Sequence, residues 1–65
     1  MKHVDEVTDD NGAWVRVDIR PGTTLDDPKV ITITIKDEVL SSVTFTREQT
    51  NALIDVLEQA IWECL

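Results

Sequence analysis

The sequence predicts an α+β domain, a three-stranded antiparallel meander sheet with one C-terminal helix packed on one face (βββα). Three observations carry this. Between Lys29 and Lys36, isoleucine and threonine alternate with a period of two, the pattern of a strand with one buried and one wetter face. A run on either side repeats the alternation. Residues 46–65 then place apolar side chains at helical spacing. All 65 residues form one domain: an acidic arm over 1–12, the sheet over 13–45 and the helix over 46–65.

In the arm, Val4 and Val7 are the only apolar anchors. Their spacing of three is no strand alternation, so an irregular arm is expected, with a short edge strand as the other reading. Asp10-Asn11-Gly12 marks a turn, since Asn and Gly tolerate positive φ. The first strand, Ala13 to Arg20, puts Ala13, Val15, Val17 and Ile19 on one face and Trp14, Arg16, Asp18 and Arg20 on the other. Pro21-Gly22 ends it, because proline has no N–H for a ladder. The loop to Pro28 is too long for a tight hairpin, and Asp26-Asp27-Pro28 closes it.

The second strand sends Ile31, Ile33 and Ile35 to the core. The third, Val39 to Phe45, offers Val39, Val43 and Phe45 to the same face. A three-residue connection, Lys36-Asp37-Glu38, sets Ile35 opposite Val39 and Ile31 opposite Val43. A two-residue turn would bring Leu40, Ser42 and Thr44 inward, a poorer core.

The helix opens at Thr46, where Thr46-Arg47-Glu48-Gln49 fits a capping box. Thr50, Leu53, Ile54, Leu57, Ala60, Ile61 and Cys64 fall on one stripe, which is expected to cover the sheet. Asn51, Asp55, Glu58 and Gln59 point away. The helical pattern runs to the last residue with no glycine cap and no basic last turn. Glu63 and the terminal carboxylate oppose the helix dipole there, so this end should fray unless something packs on it.

A domain of this size buries only about 60% of the surface its unfolded chain exposes. Disulfides, metals or partner chains usually supply the missing stability. One cysteine and one histidine build neither a disulfide nor a zinc site. A partner chain is the staple left, and a homodimer is expected.

With 13 acidic and 6 basic side chains the net charge is −7. Such a field repels nucleic-acid backbones and anionic membranes, so direct binding to either is not expected, and it keeps the chain soluble. The N-terminus turns acidic at once and no apolar run reaches membrane-spanning length, so the cytoplasm is the expected compartment.

No catalytic constellation is expected, and no cofactor. Cys64 lies on the helix stripe, without a basic neighbour and at the end whose dipole disfavours thiolate. Ser41 and Ser42 lack a nucleophile-elbow context, and His3 is expected in solvent. Asp5, Glu6, Asp9, Asp10 and Asn11-Gly12 look faintly like a calcium loop. Setting Gly12 at its sixth position puts Val7 where an aspartate is required, so no metal site follows.

Surfaces are more informative. Antiparallel order gathers Asp9, Asp10, Asp37, Glu38 and Glu63 at one pole, with Asp5 and Glu6 close by. That pole suits a basic protein target, including one whose nucleic-acid substrate it imitates; ordinary solvated loops are the plainer reading. Trp14 lies on the sheet face away from the helix, where the arm could fold over it. Trp62 lies opposite Leu53 on the helical wheel, with Leu65 nearby. Tryptophans off the core mark contact surfaces. The third strand carries no charge from Val39 to Thr46, so its edge, with Leu40, Ser42 and Thr44, is open to pairing. The outer face gathers Trp14, Arg16, Arg20, Thr32, Thr34 and Lys36. It could hold a small anionic, nucleotide-like ligand, or else be a solvated or dimer-covered face.

The segment Asp10-Asn11-Gly12-Ala13-Trp14-Val15-Arg16-Val17-Asp18-Ile19 is loosely similar to the opening hairpin of HicB-type antitoxins. The later glycine-rich turn and acidic helix start of that family are missing, and no family is assigned. The expected function is that of a small acidic, non-catalytic, dimeric protein that binds and inhibits another macromolecule. Size, acidity and lack of motifs give it the general look of phage-encoded inhibitors of host defence and of antitoxins. The alternative is a protein that sequesters an anionic ligand on the Trp14/Arg16/Arg20 face.

Overall fold

A computed structural model of the chain describes residues 2–26 and 28–64. Four strands, β1 (Lys2–Thr8), β2 (Trp14–Pro21), β3 (Lys29–Lys36) and β4 (Leu40–Phe45), precede one helix, α1 (Arg47–Glu63). The strands form a single antiparallel sheet in chain order, β1-β2-β3-β4.

The α+β class holds, but the sheet has four strands where the sequence predicts three. The expected arm is β1, paired along β2 from Lys2↔Ile19 to Thr8↔Trp14. Its alternation is hidden by a β-bulge between His3 and Asp5, where Val4 is the extra residue. A bulge inserts one residue and shifts the phase, which turns a strand spacing of two into the observed three. Asp9 organises the turn that follows: its Oδ1 accepts from the Asn11 and Ala13 N–H groups at 2.8 and 3.0 Å. Gly12, at φ +88°, supplies the left-handed residue this turn needs.

Six transverse rows of the sheet read across all four strands. On one face the rows are Lys2–Ile19–Ile31–Phe45, Asp5–Val17–Ile33–Val43 and Val7–Val15–Ile35–Ser41. On the other they are His3–Asp18–Thr32–Thr44, Glu6–Arg16–Thr34–Ser42 and Thr8–Trp14–Lys36–Leu40. The β3–β4 register differs from expectation by two residues, since Ile35 pairs Ser41 and Ile31 pairs Phe45. Val39 therefore lies in the turn, 73% exposed, instead of facing the core. A slip of two conserves the period, so Val43 and Phe45 stay on the apolar face and Leu40, Ser42 and Thr44 on the other.

Thr46 is the only residue between β4 and α1, and it caps the helix as predicted. Its hydroxyl accepts from Gln49 N–H at 3.2 Å, and Gln49 Oε1 accepts from Thr46 N–H at 3.0 Å. The helix does not cover the sheet as expected. Thr50, Leu53, Ile54 and Leu57 face Val15, Val17, Ile31, Ile33 and Ile35 across an open groove of about 420 Å³. Farther on, Ala60, Ile61 and Cys64 are exposed. The capping box fixes where the helix starts, while the rest of its course depends on side-chain contacts that one sheet face does not complete. Among the described residues no apolar side chain is buried, and the two that are buried, Asp18 and Thr32, are polar and on the face without the helix.

Candidate interaction surfaces

The apolar groove is the first candidate. It is walled by the inner sheet face and the first half of α1, and its lining is half-buried at best. Ile35 is 48% exposed and Leu57 54%. The stripe continues beyond the groove as Ile61, which is 63% exposed.

The acidic pole is the second. Antiparallel pairing brings the β1–β2 and β3–β4 turns to one end of the sheet, where Asp9 and Asp37 line one hollow with Val7, Ala13, Trp14, Val15 and Ile35. Asp10 and Glu38 belong to the same two turns. Glu63 closes α1, whose last turn has no basic residue. Part of Asp9 is committed to its own turn through Oδ1. At the opposite end, Lys2, Arg20 and Lys29 line a hollow with Ile19, Pro21 and Pro28. Arg47 opens the helix just past Phe45, whose partner Ile31 lies at that same end. Four cations thus gather at the end opposite the acidic turns, alongside Asp26 of the β2–β3 loop and Glu48 of the first helical turn. Treating 1–12 as an arm hid this, because Lys2 reaches the basic end only through β1.

On the outer face, Arg16 stacks its guanidinium over the Trp14 ring, 4.5 Å from the centroid. The same group donates to Glu6 Oε2 through Nη2 at 3.2 Å and Nε at 3.3 Å. Trp14 thus meets a cation of its own chain, and that cation is already paired with a carboxylate from β1. Thr32 is buried beside Thr44, with the hydroxyls 3.4 Å apart. Asp18 faces His3 Nδ1 at 3.4 Å. Arg20, Thr34 and Lys36 complete the expected ligand set, Arg20 and Lys36 exposed and Thr34 half-buried. His3 and Glu6 are the partners that sequence reasoning missed, and the signal was available: once β1 pairs in register, they oppose Asp18 and Arg16.

The edges differ in character. β1 is an edge carrying Lys2, His3, Asp5 and Glu6 and a bulge, features that discourage pairing. Arg16, Asp18 and Arg20 lie on β2, which is an internal strand, so they guard no edge. β4 is the other edge, and Leu40, Ser42 and Thr44 lie along it with no charged residue in the strand. Trp62 is 74% exposed. Leu65, expected beside it, and Asp27, expected to help close the β2–β3 loop, lie outside the described residues. No helix among the described residues is long and apolar enough to cross a membrane. Compared with protein-family models, curated proteins and solved structures, the chain matches none.

Proposed function

We propose that the chain is a non-catalytic interaction protein that works as a homodimer and binds and inhibits another macromolecule through its acidic pole. The observation that carries this reading is the apolar surface a single chain leaves uncovered. A soluble monomer rarely exposes a contiguous apolar patch of more than a few hundred Å², and larger ones mark contact sites. Here the groove and the Ile61 stripe are uncovered together. The pole adds direction. Asp9, Asp10, Asp37 and Glu38 share one end, and carboxylates so placed speed encounter with a basic protein surface. Inhibition, in the manner of an anti-defence protein or an antitoxin, is the simplest activity for a binder of this size. The outer face supports ligand sequestration less well, because Glu6 already pairs with Arg16 and Arg16 already stacks on Trp14.

Retention of proteins from a cell extract on the immobilised chain tests this. A basic protein should be held at low salt by wild type and by Arg16→Glu/Arg20→Glu, and lost by Asp37→Lys/Glu38→Lys. If the pole variant retains the same proteins as wild type, the assignment of the pole is wrong.

A further inference from the structure

We infer that the occupant of the apolar groove is a second copy of this chain, antiparallel to the first. In this pair the distal half of each helix, through Ala60, Ile61 and Cys64, completes the core of its partner. The inference deepens the dimeric part of the reading above and rests on it.

Surface area is the first argument. The chain exposes 5656 Å², whereas a compact protein of 7.4 kDa exposes about 4,200 Å². Pairing two chains that each hide the excess of about 1,400 Å² would bury about 2,800 Å², within the range of obligate homodimers. The radius of gyration agrees: it is 13.3 Å, against about 11 Å for a compact chain of this length.

The second argument is self-complementarity. A two-fold interface uses the same patch on both subunits, so that patch must contain both the recess and the piece that fills it. This chain has both. The recess lies between the sheet and the first half of α1, lined by Val17, Ile33 and Leu53 among others. The filling piece is the same helical stripe one to two turns on, ending in exposed Ile61 and Cys64. A two-fold axis near Leu57 exchanges them.

Charge selects the orientation. A parallel pair would set the two Asp9/Asp37 poles side by side. An antiparallel pair sends them to opposite ends of strands of 8 residues, about 27 Å apart and so about three Debye lengths at physiological salt, where they repel little. Both poles remain free for another partner.

Light scattering on the full chain, with Ile61→Glu, Trp62→Ala, Ser42→Lys and Asp37→Lys/Glu38→Lys beside it, tests the inference. Wild type should have the mass of two chains, and its melting temperature should rise with protein concentration, as it does when folding and association are linked. Ile61→Glu should raise the dissociation constant at least about 100-fold, because each dimer would lose two buried side chains and gain two carboxylates. Ile61 is 63% exposed in the single chain, so the change costs little there beyond a small helix-dipole term. Should the variant unfold, the concentration dependence of wild-type melting still decides. Trp62→Ala and Ser42→Lys should keep the mass of two chains. A monomeric wild type, whether its helix closes on its own sheet or its groove awaits another protein, overturns the inference. So does an Ile61→Glu dimer as tight as wild type, or a dimer broken instead by Trp62→Ala or Ser42→Lys. The pole variant should stay dimeric, so lost retention of a basic protein at unchanged mass, or the reverse, shows which of the two readings has failed.

Discussion

Gly12 and Thr46 each fix one junction of the chain. At φ +88° with nothing within 4 Å of an added Cβ, Gly12 is needed for its backbone alone. Gly12→Ala should therefore cost about 1 kcal/mol, all of it from placing an L side chain in the left-handed region. Thermal or urea unfolding measures it, and an unchanged midpoint would mean that the turn has another conformation. Thr46→Ala removes the acceptor for Gln49 N–H, and should also cost about 1 kcal/mol. Gly12 and the capping box could be named from sequence, because each is a local event within a few residues. The Glu6–Arg16–Trp14 cluster could not, because Glu6 and Arg16 meet only when β1 pairs. With both partners of that ion pair more than a third exposed, Glu6→Gln should change stability by less than about 1 kcal/mol.

Among the elements, β1 separates this fold from the three-stranded one. If residues 2–8 were a loose arm, deleting them would leave the melting temperature unchanged. As a strand paired along most of β2, their loss should remove at least about 2 kcal/mol, or about 8–16 °C for a domain this small. The deletion would also turn β2 into an edge. The bulge at Val4 explains why periodicity missed this strand, whereas β2 and β3 keep strict alternation and were legible. β4 shows the limit of register arguments. Its faces follow from the period, but Ile35↔Val39 and Ile35↔Ser41 satisfy that period equally, and the geometry of the Asp37–Val39 turn chooses between them.

For the whole molecule, the consequence of a net charge of −7 depends on whether two chains associate. Like-charged chains repel weakly at long range, and salt screens this. Raising ionic strength from low to physiological should therefore tighten the dimer while loosening any complex of the acidic pole with a basic protein. Sedimentation and binding measured across the same salt series would show the two trends with opposite sign. If both weaken together, attraction between each acidic pole and the partner's cationic end outweighs the repulsion of the net charges.

By itself the sequence determined the α+β class, the strict alternation of β2 and β3, the capped start of α1 and the two acidic turns. These depend on period, on turn chemistry and on neighbours a few residues apart. Only the tertiary structure decided that residues 2–8 form a strand, that Arg16 is paired with Glu6, and that the helix stripe leaves the sheet half-covered. Each of these depends on groups distant in the chain meeting in space. The amphipathic pattern of α1 shows which face must be buried but not against what, because an apolar stripe fits its own sheet and another copy's equally well.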